Sequence, residues 1–204
     1  KPNKAYDERV LQKKFPKTYE FLDCFRKELL IRTHYKAHFE KQGAPFYSIY
    51  NVGAYTLAPY KLVWRYIASE MTCAVVAQSS SNLLKPKLVV PDTKLVLVPF
   101  EDSNEAHYLC SVLNSVFVRF VVLGYGITTQ LAPHILENIR VPKFESKNSL
   151  HQHLANLSQK CHENVAAGIS VSDIEGQIDE LAAELWGLTK DELKDIKESV
   201  EEVS

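Results

Sequence analysis

The chain has 204 residues, of which 46% are hydrophobic and 24% are charged, proportions typical of a soluble globular protein. This length suffices for one large domain or two small ones. No apolar run approaches the roughly 20 residues that a membrane-spanning helix needs, and the charged N-terminal segment is unlike a secretory signal. We therefore expect a cytoplasmic protein without membrane contact, whose four widely spaced cysteines stay reduced.

The net charge of −1 conceals an uneven distribution along the chain. Residues 1–100 contain 16 Lys/Arg and 8 Asp/Glu, a balance of +8, whereas residues 101–204 contain 8 and 17, a balance of −9. Such asymmetry suggests that the basic half binds a polyanion. Charge alone leaves open the alternative that both halves merely have solvated faces.

Residues 6–40 are predicted to be helical, and Pro16 is expected to start the main helix. The apolar side chains of this segment recur at spacings of three, four and six, which keeps them broadly on one face. They are Tyr19, Leu22, Phe25, Leu29 and Tyr35.

Residues 46–100 have the aromatic and β-branched composition of strands. In YKLVWRY, residues 60–66, Leu62 and Trp64 alternate with Lys61 and Arg65, which predicts one buried face and one face carrying cations. MTCAVVAQ at 71–78 is a second strand candidate, and KLVVPDTKLVLVPF at 87–100 predicts two more, joined at 91–93. The polar segment QSSSNLLKPK at 78–87 is expected to be a loop.

The second half of the chain is predicted to be mainly helical. A single central helix is expected over 103–123, capped by Asp102 with Glu105, followed by a polar loop and a last strand at 139–142. An apolar stripe over 150–165 predicts a long helix. Two shorter helices follow, with capping boxes predicted at Ser172 and Glu175 and at Thr189 and Glu192, and with Gly187 between them.

Catalytic and metal-binding motifs are missing from the sequence, which contains no GxSxG, GxGxxG or CxxC pattern. His34 and His38 have a metal-compatible spacing but lack a third ligand, and His151 to His162 would spread over roughly 16 Å of helix. A magnesium nuclease built on Asp92, Glu145 and Lys147 is an alternative with a poorly matching spacing.

What the sequence offers instead is a binding surface of cations and polar side chains. Phosphates are bound by Lys and Arg, whereas base edges are read by Arg, Lys, Asn, Gln, Ser and Thr. The alternative is that these side chains belong to ordinary polar loops. The candidate residues are Lys61, Arg65, Gln78, Ser80, Asn82, Lys85, Lys87, Tyr125, Thr128, Thr129 and Gln130.

Five stretches, which follow one another along nearly the whole chain, carry a family resemblance. They are FPKTYEFLDCFRKELLIR, APFYSIYNVGAYTLAPYKLVWR, VVPDTKLVLVPFEDSNEAHYLCSVLNS, HILENIRVPKF and IDELAAELWGLTKDEL. In this order they resemble the C-terminal target-recognition region of TaqI-like adenine-specific DNA methyltransferases, including those fused to restriction endonucleases. YLCSVLNS and IDELAAELWGLT are the most specific of these stretches.

The resemblance implies that the candidate residues contact double-stranded DNA. It also implies a methyltransferase domain upstream in the same polypeptide, which would hold S-adenosylmethionine and an Asn-Pro-Pro-aromatic motif. The chain has no Asn-Pro pair, and its only methionine is Met71. We therefore expect a recognition fragment of a type II restriction–modification enzyme or methyltransferase, without catalysis, cofactor or metal of its own.

Together these observations predict an α+β fold. A helical segment at 1–45 precedes a target-recognition core at 46–145, in which a small mixed sheet packs on the central helix, and a helical extension at 146–204. Cations of the first half are expected to line one groove that admits a duplex. Two alternative functions stay open, a protein-interaction scaffold and the magnesium nuclease.

Overall fold

A computed structural model describes residues 4–81, 84–124, 131, 136–137 and 139–203, with the backbone alone at 80, 81, 84 and 85. The chain forms two compact units, Lys1–Leu57 and Ala58–Ser204, and the α+β fold class is confirmed. The division lies after Leu57 rather than after residue 45, because residues 46–57 pack with the N-terminal helices. The predicted core and C-terminal extension share the second unit.

The first unit contains four short helices where the sequence predicted a main helix. They are α1 Glu8–Lys14, α2 Pro16–Asp23, α3 Arg26–Leu30 and α4 Thr33–His38, followed by 3-10 turns at Glu40–Gln42 and Ala54–Leu57. Pro16 occupies the first position of α2, as predicted. Because the proline ring disfavours a helical residue before it, Phe15 has φ −138° and ψ 61° and ends α1.

Arginine side chains hold the first unit together. Arg26 pairs with Glu8 at 2.9 Å and with Asp23 at 2.6 Å, and its guanidinium lies 3.8 Å from the centre of the Phe46 ring. Arg32 donates to the carbonyl oxygens of Phe46 and Ser48. These contacts join the helices to the segment after residue 45, which explains the later boundary.

The described residues of the second unit form five strands in two antiparallel sheets. The strands are β1 Tyr60–Arg65, β2 Cys73–Val76, β3 Gln78–Ser81, β4 Leu84–Leu88 and β5 Leu95–Phe100. The three-stranded sheet has the order β2-β1-β5, with Lys61 opposite Val76 and Val63 opposite Leu97. It is antiparallel throughout rather than mixed. Strands β3 and β4 pair with each other, so the predicted loop at 78–87 was wrong.

Strand β1 does not show the predicted alternation of buried and exposed residues. Four consecutive residues, from Lys61 to Trp64, are buried, and Arg65 is exposed. A central strand that is covered on both faces has no solvent-facing side, so the period of two in its sequence does not report exposure. Leu62 and Trp64 belong to the main hydrophobic core, as expected for Trp64.

The predicted central helix is two helices, α5 Ser103–Asn114 and α6 Val116–Gly124, bent by 57°. The bend lies at Ser115, whose ψ of 151° is not helical. The carboxylate of Asp179, on a later helix, accepts a hydrogen bond from the Val116 N–H at 2.8 Å and so caps α6. Asp102 caps α5 by accepting from the N–H groups of Asn104 and Glu105, as predicted.

Within the described ranges, no single helix is both long and apolar enough to cross a membrane. The bent pair of α5 and α6 meets the criteria of length and composition only when its two helices are taken together. The buried side chains of this pair, among them Val112, Leu113 and Val118, belong to the core of the second unit.

Three helices complete the second unit, α7 Ser149–Ala166, α8 Ser172–Trp186 and α9 Lys190–Val203. Leu154 and Leu157 of α7 and Ile174 and Ile178 of α8 pack against Tyr108 and Val112 of α5. The helical tail therefore lies on its own unit, with its apolar side chains in a shared core.

The helix caps of the tail were predicted with mixed success. Thr189 and Glu192 form the predicted capping box of α9, and Gly187 ends α8 with a φ of +68°. The capping box at Ser172 was wrong, because Val171 is the N-cap residue and Ser172 already lies inside α8.

The strand predicted at 139–142 was also wrong. This segment turns locally, with the Val141 N–H donating to the Ile139 carbonyl, and two side chains hold it: Tyr108 donates to the Pro142 carbonyl and Trp186 donates to the Arg140 carbonyl.

Candidate nucleic-acid interface

Strands β3 and β4 form a two-stranded polar ribbon, residues 78–81 and 84–88. Gln78 pairs with Leu88, and Ser79 with Lys87, before an irregularity between Ser79 and Ser81. The Val89 N–H donates to the Ala77 carbonyl and continues the pairing at the base of the ribbon. Successive side chains of a strand point to opposite faces, so Ser79 and Lys87 share one face and Gln78 lies on the other. Gln78, Ser79 and Lys87 are exposed.

Four of the predicted DNA-binding residues lie on this ribbon, namely Gln78, Ser80, Lys85 and Lys87. The backbone places Ser80 in β3 and Lys85 in β4, and Asn82 lies outside the described residues. The sequence named these residues but not their arrangement, because a polar segment without apolar alternation resembles a loop. Pairing brings together positions that are eight or ten apart in sequence, Ser79 with Lys87 and Gln78 with Leu88.

The structure removes Lys61 from the candidates. Its side chain is fully buried, and its Nζ atom donates a 2.7 Å hydrogen bond to the Ala58 carbonyl oxygen. Burial lowers the pKa of this amine because the charged form is desolvated. A lysine enclosed in this way does not reach a phosphate.

Arg65 lies at the other end of β1 and is exposed. The neighbouring Tyr66 N–H donates to the Lys94 carbonyl, which brings the exposed residue Lys94 to the same end of the sheet. The sequence analysis missed Lys94, although its position between the turn at 91–93 and β5 was a usable signal. Arg65 and Lys94 thus form a small basic group, the Arg65–Lys94 end.

Leu131 is fixed at this same end of the sheet. Its N–H donates to the Tyr66 carbonyl at 2.8 Å, and its carbonyl accepts from the indole N–H of Trp64 at 2.8 Å. The candidates Tyr125, Thr128, Thr129 and Gln130 lie outside the described residues. The chain therefore comes back to the Arg65–Lys94 end directly after Gln130.

The two groups of candidates lie at opposite ends of the three-stranded sheet. Lys61, opposite Val76, marks the end from which the ribbon continues, and Arg65 marks the other end. Four residues of extended chain span about 13 Å at ~3.3 Å per residue. This length separates Lys61 from Arg65, and the ribbon residues begin beyond Val76, the partner of Lys61.

Cations of the first unit divide into internal and exposed sets. Arg26 and Arg32 are occupied by the internal contacts described above. Arg9, Lys13, Lys14 and Lys17 are exposed on α1 and α2, and residues 9 and 13 lie one helical turn apart. The convergence of cations from both units on one groove stays a prediction.

A histidine and serine network joins α7 to the sheet and to α5. The His162 Nε2 atom accepts from the Val75 N–H at 2.9 Å, and Nδ1 lies 2.7 Å from the Ser158 carbonyl. Because a carbonyl only accepts and an N–H only donates, the His162 ring carries its proton on Nδ1. His107 bonds the Ser158 hydroxyl, and burial, with a smaller effect of His162, lowers the pKa of His107 to about 4.

Residues of the motif YLCSVLNS likewise make hydrogen bonds and packing contacts inside the second unit. The Asn114 side chain accepts from the Cys73 N–H at 2.7 Å and donates to the Cys73 carbonyl at 2.9 Å. Burial raises the pKa of the Cys110 thiol to about 12. These residues hold β2, and through it the base of the ribbon, against α5.

The histidines and acidic residues considered for metal binding have other contacts. The His151 ring accepts from the Glu145 N–H, and Asp92 accepts from the Thr93 hydroxyl and the Lys94 N–H. In the part of the chain that the structure describes, no group of three or more His, Cys, Asp or Glu side chains is placed to hold a metal ion.

No protein-family model matches the chain, and comparison with curated protein sequences gives no significant match. The resemblance to methyltransferase recognition regions stays a prediction.

Proposed function

We propose that the chain recognises a specific sequence in double-stranded DNA, as the target-recognition region of an adenine-specific methyltransferase or restriction–modification enzyme. The polar ribbon is the observation that carries this proposal. In this reading the chain is cytoplasmic and acts beside a methyltransferase domain of the same polypeptide. It holds no cofactor, because S-adenosylmethionine belongs to that domain.

The shape of the ribbon suits the major groove, which admits either an α-helix or a two-stranded β-ribbon. Its two faces have different chemistry. Gln78, on one face, can bind adenine with both atoms of its amide. Ser79 and Lys87, on the other face, can bind phosphates of the groove wall.

The base of the ribbon is rigidly supported, which base reading requires. Ala77 alone separates β2 from β3, and β2 is held by Asn114 and His162. Side chains that read bases gain specificity when a packed scaffold fixes their position. The Arg65–Lys94 end, at the opposite end of the sheet from the ribbon, supplies cations for further phosphate contacts.

The proposal is tested by selecting bound duplexes from a random pool and then measuring affinity by fluorescence anisotropy over a range of salt concentrations. Lys87→Ala should weaken binding to all duplexes and reduce the slope of log K against log[salt] by about 0.9. Gln78→Ala should instead relax the preference at one base pair, by about 1–3 kcal/mol. Lys160→Ala, at an exposed position on α7, is the matched control and should change neither quantity.

Two results together would contradict the proposal: selection enriches no sequence from the pool, and neither ribbon variant changes the affinity for duplex DNA. Salt-insensitive binding would favour the protein-interaction scaffold. Cleavage of the duplex in magnesium that Asp92→Ala abolishes would favour the nuclease.

A further inference from the structure

The first unit contains an aromatic cleft, which lies entirely within residues 38–55. The volume of this cleft is about 340 Å³, within the range of small-molecule sites. Four rings and two side-chain amides contribute to its walls. The lining residues are His38, Phe39, Gln42, Ile49, Tyr50, Asn51, Val52 and Tyr55.

The rings of Tyr50 and His38, which line the cleft, are nearly parallel, and the His34 ring, which does not line it, stacks on the same Tyr50 ring. The Tyr50 ring centre lies 4.2 Å from that of His38 and 5.3 Å from that of His34, with interplanar angles of 17° and 4°. The histidines are one turn apart on α4, which sets both rings in the same orientation. Tyr50 remains 47% exposed. Parallel rings with a free aromatic surface are suited to stacking a further planar ring.

Asn51 and Tyr55, which also line the cleft, are held in a constrained arrangement. Asn51 has a φ of +57°, and the Tyr55 hydroxyl donates to both its carbonyl and its Oδ1 atom. A Cβ atom at Gly53 would lie 2.5 Å from the Tyr55 ring, so this ring position requires glycine there. The Asn51 amide is therefore held in place while its Nδ2 atom makes no hydrogen bond to a described residue.

Both amides retain a donor, and Gln42 also retains an acceptor, for a ligand. Asn51 retains its Nδ2 donor, and Gln42 retains its Oε1 acceptor because its Nε2 atom donates to the His38 carbonyl. A nucleobase edge presents the complementary groups, a ring nitrogen or carbonyl acceptor beside an N–H donor. Among the described residues that line the cleft none is acidic, and Lys36 and Lys41 are exposed on the adjoining helical turns.

We propose that this cleft binds one unstacked nucleobase, stacked against Tyr50 and hydrogen-bonded by Asn51 and Gln42. The base belongs either to a free nucleotide or to a single strand, and the same contacts serve both. The cleft is separate from the ribbon in the second unit. Its binding of a base therefore does not depend on duplex recognition by the ribbon.

The test uses the full chain with adenosine 5′-monophosphate and with a single-stranded oligonucleotide that contains one 2-aminopurine. Saturation-transfer NMR should show stronger transfer to the base protons than to the ribose protons. Tyr50→Ala should lower affinity about tenfold or more, because stacking of a base on an aromatic ring is lost. Tyr50→Phe should retain binding, since the ring remains.

Asn51→Gly provides a second measurement that keeps the left-handed backbone and removes only the amide, and it should weaken binding severalfold. Phe21→Ala, which removes a ring that is 64% exposed and does not line the cleft, is the matched control. If the oligonucleotide binds more tightly than adenosine monophosphate, and if Lys36→Ala and Lys41→Ala remove this difference, the base belongs to a single strand. Equal affinity for the two probes identifies a free nucleotide.

Two results would overturn the proposal. One is the lack of transfer to base protons at millimolar adenosine monophosphate together with unchanged 2-aminopurine fluorescence. The other is binding that Tyr50→Ala and Asn51→Gly leave intact. Lys87→Ala should leave nucleotide binding unchanged, so failure at the cleft and failure at the ribbon are separate results.

Discussion

At the scale of single residues, Asn114 shows how one amide fixes a strand to a helix. Both of its amide atoms bond the backbone of Cys73. Asn114→Ala leaves those strand groups without their partner, so we expect the free energy of unfolding to fall by about 1–3 kcal/mol. Urea denaturation measures the loss. Asn156→Ala, at an exposed position on α7, should change stability by less than about 0.5 kcal/mol.

His107 predicts an acid sensitivity of the second unit. Its pKa of about 4 in the folded chain lies below the ordinary value of 6.5, because burial and His162 disfavour the charged ring. The unfolded chain therefore binds more protons between these values, and the stability that neutral His107 contributes is lost as the pH falls from 6.5 towards 4. The urea midpoint should drop across this window, and His107→Gln should flatten the drop.

His153→Gln is the control for this measurement, since His153 is exposed on the same helix as His162. It should leave the pH dependence of the midpoint as it is in the unmodified chain. An equal drop in the His107→Gln chain would show that other groups cause the acid sensitivity.

At the scale of elements, the start of α9 is stabilised by a side-chain cap and the start of α8 is not. Thr189→Ala removes the hydroxyl that accepts from the Glu192 N–H, and we expect a loss of about 1 kcal/mol in unfolding free energy. Ser172→Ala should change stability little, because Ser172 does not cap α8. Urea denaturation of the two variants provides the comparison, and equal losses would contradict these cap assignments.

Asp179 links three helices of the second unit. One carboxylate oxygen caps α6 at Val116, and the other lies 3.2 Å from the Lys197 ammonium of α9. Asp179→Ala should cost about 1–3 kcal/mol in unfolding free energy, whereas Asp179→Asn retains an acceptor for Val116 and should cost less. Lys197→Ala removes only a partly exposed ion pair, so we expect at most about 1 kcal/mol. Urea denaturation of the three variants shows which of the two contacts contributes more to the free energy of unfolding.

At the scale of the whole molecule, the two units differ in how much they bury. Helices α2 and α3 of the first unit contain no buried residue, whereas α5 contains six. Short helices without buried contacts open more easily, so amides of α2 and α3 should exchange with deuterium orders of magnitude faster than those of α5. Hydrogen-exchange mass spectrometry measures this difference, and similar protection in both units would contradict it.

Sequence patterns predicted the elements whose cause is local. Strands β1, β2 and β5, the long helix α7 and the capping box at Thr189 follow from β-branched runs, an apolar stripe and a side-chain hydrogen bond between near neighbours. The break at Ser115 could not be predicted in this way, because Asp179, which caps α6 at Val116, is 63 positions beyond Val116 in the chain. Long-range contacts of this kind override local helix propensity.

The candidate site was predictable in composition and less so in arrangement. Gln78 and Lys87 were named correctly as exposed polar residues, but their pairing on a ribbon has no short-range signal. Lys61 was wrongly predicted to lie on an exposed face, because a period of two in a strand does not show whether both faces are covered. The aromatic cleft was missed because His34 and His38 were considered only as metal ligands, while their partner, Tyr50, is distant in sequence.

The fixation of Leu131 has a consequence for mutation at this position. Its N–H bonds the Tyr66 carbonyl and its carbonyl accepts from the Trp64 indole, while its side chain is buried in the same core as Trp64. The hydrogen bonds use only its backbone, and the packing uses its side chain. A smaller residue at 131 would therefore leave a cavity beside Trp64 but keep the chain tied to the end of the sheet.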